Sequence, residues 1–140
     1  MLRLILLLIG LFSLSIIQAS FAIEPLERTP SSSPRLVDFF GNQISENVNV
    51  HQQVQITADL TNNQEIIQKF TYIVQIKNNE NVVIHLAWIT GSLVGNQSFS
   101  PALSWTPSSS GTYVVEIFVW ESFSNQDALS QPNYISIIAS

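Results

Sequence analysis

The stretch Thr112–Glu121 alternates without a break: Tyr113, Val115, Ile117 and Val119 fall on one side, Val114, Glu116, Phe118 and Trp120 on the other. A period of two is what a pleated strand demands, because successive side chains point to opposite faces. The same rhythm runs through Val54, Ile56, Ala58 and Leu60, and again through Phe70, Tyr72, Val74 and Ile76. Val82–Thr90 is apolar on both faces, and Tyr134–Ile138 supplies a terminal strand. Phe99, Leu103 and Trp105 share one face of a further strand, where Pro101 predicts an edge position or a bulge. Lys77–Asn81 reads as a hairpin turn, Gly91 and Gly95 bracket another, and short pieces at Leu36–Phe40 and Ile44–Val50 complete the set. No stripe of helical period is present from Leu36 onward. Seven or eight short strands with turn signals roughly every 8–12 residues predict an all-β antiparallel sandwich.

The N-terminus follows other rules. Arg3 precedes the apolar run Leu4–Phe12, apolar character continues to Ile17, and Ser20-Phe21-Ala22 places small residues where a signal peptidase reads them. Residues 1–22 therefore read as an N-terminal signal helix, cleaved before Ile23 or retained as an anchor. Either way the remainder is exported, to the extracellular space or the cell surface, with membrane contact only through residues 4–22. Residues 23–35 hold three prolines and three consecutive serines and read as an extended tether. The sandwich is expected to occupy 36–140.

Charge and composition close off several functions. Without its first 22 residues the chain carries four cations (Arg28, Arg35, Lys69, Lys77) against ten acids, a formal −6. Nucleic-acid binding needs a clustered basic surface and is not expected. The chain has no cysteine, which removes disulfide scaffolds, thiol catalysis, iron–sulfur clusters and cysteine-ligated copper. An exported domain of this kind must be held by burial alone.

Ser98-Phe99-x-x-x-Leu103-x-Trp105-x-Pro107-x-x-x-Gly111-x-Tyr113-x-Val115-x-Ile117 resembles part of the immunoglobulin-like sandwich domains, including the CARDB-type repeats of exported bacterial and archaeal surface proteins. The whole stretch from Leu36 is similar to small secreted domains of ammonia-oxidising archaea. The resemblance implies an immunoglobulin-like β-sandwich in which Trp105, Pro107, Gly111 and Tyr113 have structural roles: Pro107 and Gly111 shape a crossover, and the Tyr113 hydroxyl pins a corner. It implies no catalytic residue and no cofactor. Domains of this class mediate adhesion or protein–protein contact.

Site chemistry points the same way. The only imidazoles, His51 and His85, lack metal-ligand spacing, and no nucleophile elbow or carboxylate pair accompanies them. No metal site and no enzyme is expected. Glu121, Asn125 and Asp127 crowd one loop, where a solvated acidic loop is favoured over calcium. Asn96-Gln97-Ser98 is a sequon in a turn, which makes Asn96 a glycosylation candidate. If Tyr113, Val115, Ile117 and Val119 face the core, then Val114, Phe118 and Trp120 face outward beside Ile73 of the neighbouring strand. This stripe is either an interface or is covered by Leu36–Val50 or the tether. The expected function is a non-catalytic exported module that contacts an unknown protein. The alternatives are a module binding carbohydrate or envelope polymer through Trp88 or Trp120, and a structural subunit whose strand Tyr134–Ser140 completes a neighbour's sheet.

Overall fold

The computed structural model describes residues 22–140, so the expected signal segment lies, but for Ala22, outside the described residues. After a short 3-10 turn at Pro25–Glu27, nine strands follow: β1 (Ser31–Val37), β2 (Asn47–Val48), β3 (Val54–Thr61), β4 (Gln68–Lys77), β5 (Val83–Leu93), β6 (Ser98–Phe99), β7 (Ala102–Trp105), β8 (Gly111–Trp120) and β9 (Asn133–Ala139). They form two stacked sheets. One has β3 at its centre with β1 on one side and β6 and β7 on the other; its partner runs β2-β9-β8-β4-β5. Every pairing is antiparallel except β2 with β9, which is parallel. The architecture is the expected sandwich, with β4 and β9 flanking β8.

Alternation places the core. Ile56, Ala58 and Leu60 from β3 meet Tyr72, Val74 and Ile76 from β4 and Val115, Ile117 and Val119 from β8, all at or near zero exposure. Buried aliphatic side chains each contribute about 1.5–3 kcal/mol by leaving water, so this layer replaces the absent disulfides. Tyr72 is the one phenol at its centre. Its hydroxyl donates to the Ile56 carbonyl at 3.2 Å, and burial holds it protonated well above the usual range for tyrosine.

The proline- and serine-rich tether is corrected in part. Ser31–Arg35 belongs to β1 and pairs with β3 across a register shift between Ser32 and Arg35, where Ser33 takes φ 51° and Pro34 sits. An edge strand tolerates proline at such a bulge because the missing N–H costs no ladder bond. The sandwich therefore begins at Ser31. Arg35 closes the strand against β3 through a two-pronged pair with Asp59 (3.0 and 3.2 Å), and the Ser100 hydroxyl donates to the same carboxylate at 2.6 Å. These donors hold the Asp59 carboxyl below its ordinary value.

Gly91 does not flank a turn. It lies inside β5 opposite Phe70, whose ring would stand 2.9 Å from any Cβ there, so the strand runs on to Leu93. Pro101 interrupts β6 and β7 as its position predicts. The terminal strand β9 is bonded to β8 over seven residue pairs and completes the five-stranded sheet of its own chain.

Candidate functional site

At one end of the sandwich, the residues from Trp105 to Tyr113 build a corner. The Tyr113 hydroxyl donates to the Ser109 carbonyl at 2.8 Å and lies 3.0 Å from the Ser109 hydroxyl. Trp105 packs edge-on against the Tyr113 ring at 5.0 Å. Pro107 is buried, and its carbonyl accepts from the His51 amide at 2.8 Å. Gly111 opens β8 at φ 153°, a region where a side chain is strained. This is the tyrosine corner of immunoglobulin-like sandwiches. Tyr113→Phe keeps the ring and loses one hydrogen bond, so unfolding in urea should show a loss of about 1 kcal/mol. A change below a few tenths of that would mean the hydroxyl does not pin the turn.

The outer face of the five-stranded sheet is the other candidate. Across it, register aligns Trp88, Ile73 and Phe118 in one row, with Thr90, Thr71 and Trp120 in the next. Phe123, from the loop after β8, meets Trp88 edge-on at 5.4 Å and Trp120 at 6.3 Å, and Phe118 lies 6.4 Å from Trp120. Four aromatic rings thus form one group. Trp88 is 53% exposed and Leu86, in the adjacent row, 52%. On the far side of the sheet Val114, Tyr134 and Ile138 are also exposed. Between the two lies a polar bar: Glu116 accepts from Gln75 at 2.7 Å and from Lys77 at 3.1 Å.

Ile73 is not an accessible member of this face. It is only 4% exposed, because β4 is interior to the sheet and large rings flank it from both neighbouring strands. Phe118 and Trp120 are half-buried, and Val114 is exposed. Phe123 and the loop carrying it partly cover Trp120, and Trp120 in turn packs against Phe118. Leu36–Val50 lies elsewhere, its strands β1 and β2 at sheet edges. The exposed weight of the face has shifted from β8 to Leu86 and Trp88 on β5. The both-sided apolarity of that strand was the available signal.

The remaining candidates are dispersed. His51 occupies a turn at φ 67°, and His85 sits on β5 beside a cleft of about 430 Å³ lined by Asn78, Ser104, Thr106, Ser109 and Tyr113, among others. The His85 Nε2 is buried and without a hydrogen-bond partner, and no carboxylate lines the cleft. Glu121 accepts from the Asn125 side-chain amide at 3.0 Å, so that pair turns an N–H rather than an oxygen cage inward. Among the described residues no group of three His, Asp or Glu side chains is placed to hold a metal ion. Asn96 is exposed at φ 61° in the turn between β5 and β6, while the Ser98 hydroxyl of its sequon bonds that of Thr61 at 2.9 Å.

Comparison with solved structures returns the same sandwich. The C-terminal domain of Wzt aligns at TM-score 0.67 and 11% identity, over 84% of this chain and 76% of that one. A CARDB domain from Pyrococcus furiosus, in complex with di-metal ions, aligns at TM-score 0.55 and 14% identity, over 84% and 97%. A cycloisomaltooligosaccharide glucanotransferase from a Paenibacillus species, complexed with cycloisomaltoheptaose, matches at TM-score 0.57 and 21% identity, over 82% of this chain but 14% of the enzyme. At such identities these likenesses concern the fold alone. No curated protein matches the chain. Residues 34–139, nearly the whole sandwich, match the model of one family, and the chain belongs to it: the S-layer A-like family.

Proposed function

We propose that this chain is a non-catalytic, exported module of the cell surface that works by protein–protein contact through the outer face of its five-stranded sheet. Membership of an S-layer A-like family supports a surface location, and the apolar segment before the sandwich supports export. The observation that carries the reading is the aromatic group Trp88–Phe123–Trp120–Phe118, continued by Leu86 and left open to solvent at Trp88. A contiguous apolar patch with aromatic anchors is what protein interfaces use, and scattered surface apolarity does not form one.

Trp88→Asp places a charge where half the ring is already in water, so the sandwich should keep its thermal unfolding transition. In producing cells the variant is expected to shift several-fold from the envelope fraction into the medium. Unchanged retention with an intact fold would overturn the reading. Retention that survives in protein-stripped envelopes and is competed away by envelope glycan would transfer the site to carbohydrate.

A further inference from the structure

We propose that β5 pairs edge to edge with β5 of a second copy of this chain, joining two five-stranded sheets into one. β5 ends its sheet with β4 as its only hydrogen-bonded neighbour, and at eleven residues it is the longest strand among those described. In an antiparallel ladder a residue exchanges both its bonds with one neighbour or neither, so about half of the β5 residues aim N–H and C=O groups away from β4. No backbone hydrogen bond ties residues 83–92 to anything other than β4 among the described residues.

Edges of this kind are normally blunted, and the other edges of this molecule are. β1 carries Pro34 at a bulge, β6 and β7 are short and split at Pro101, and β2 closes the β9 edge near the C-terminus. β5 shares only one of these devices, a bulge at Ile84 toward its hairpin end. It contains no proline and no charged side chain, and from His85 to Leu93 it pairs with β4 without a register shift.

The occupant follows from charge and symmetry. The chain is acidic, yet from Asn81 to Val115 it has no Asp, Glu, Lys or Arg. Two like-charged copies therefore meet with least repulsion along this strand. An antiparallel two-fold axis through Ala87 would set Leu86 opposite Trp88 of the second copy and His85 opposite Ile89. Aliphatic–aromatic cross-strand pairs of this type are among the favourable ones. Val83, Ile84, Leu86, Trp88 and Ile89 are each between 37% and 53% exposed. Edge pairing would bury part of that apolar surface, toward the roughly 800 Å² per partner of a standard interface. Backbone bonding and Phe123 over Trp88 add to it.

The inference rests on the contact reading above and names its partner. Because the chain has no cysteine, single-cysteine variants of the full chain report pairing cleanly. Cα atoms across an antiparallel pair stand about 4.5–5.5 Å apart, within disulfide range. Ala87→Cys should run as a covalent dimer on a non-reducing gel, whereas Ser136→Cys on the exposed part of β9 should not. Adding Leu86→Lys should cut the Ala87→Cys dimer at least several-fold, and the unmodified chain should sediment as a concentration-dependent dimer. Monomer at every concentration, equal cross-linking from Ser136→Cys, or an Ala87→Cys adduct with a different protein would each overturn the pairing. Envelope retention separates the two readings. A monomer still released by Trp88→Asp sinks only the pairing, while a β5 dimer whose retention ignores Trp88→Asp sinks only the contact reading.

Discussion

Trp105→Ala should lower stability by about 3–5 kcal/mol, the usual loss for deleting a large buried aromatic. Trp105 is 6% exposed at the end of β7, a strand of four residues joined to its sheet through β3, with Val54 as the cross-strand partner of Trp105. Its ring also seats Tyr113. Removal opens a cavity, frees the last residue of a short strand, and loosens the corner that sets the entry of β8. For a domain of this size the melting temperature should fall by roughly 12–20 °C. A loss below about 1 kcal/mol would show that the ring does not fill the space between the sheets. Trp105→Ala and Tyr113→Phe touch, so their effects should not add, and a double-mutant cycle measures the coupling directly.

Asn62→Ala should cost on the order of 3 kcal/mol without removing any apolar contact of note. Asn62 is fully buried just after β3. Its side-chain amide faces the carbonyls of Ile66, Leu93 and Val94 at 2.8–3.2 Å, and its Oδ1 accepts from the Gln64 amide at 3.1 Å. Its main-chain carbonyl takes the Asn96 amide at 2.9 Å. One residue thus joins the loop before β4 to the turn that ends β5. Alanine leaves several buried groups without partners, each losing a bond worth about 0.5–1.5 kcal/mol. Asn62→Asp should be at least as damaging, since a carboxylate cannot donate and a buried charge is penalised. Urea unfolding gives the magnitude, and hydrogen exchange should show the 63–67 and 94–97 segments opening first. An aspartate variant as stable as the original would exclude the donor role.

Asn62 shows where the sequence falls silent. In Asn62-Asn63-Gln64 it reads as an ordinary strand-ending polar residue. That it, and not Asn63, is buried depends on a turn more than thirty residues away. Gly91 is similar: beside Gly95 it suggests a turn, yet it is glycine because the Phe70 ring lies against it. Ile73 was legible as outward-facing but not as covered, because the covering rings come from β5, β8 and a later loop.

What the sequence determined by itself is the alternating strands, and its resemblance to immunoglobulin-like domains added the corner. Alternation is local: it fixes which side chains of β3, β4 and β8 share a face, and a two-residue period admits no other regular structure. Pro107, Gly111 and Tyr113 likewise act within a few residues of one another. The tertiary structure decided everything that needs a distant partner. Ser31–Arg35 became a strand because β3 was there to receive it, and Phe123 sheltered Trp120 because its loop folds back over it. β5 was left as a bare edge because the order of strands ends with it. Backbone pairing and solvent exposure belong to pairs of segments, and no single segment's pattern contains them.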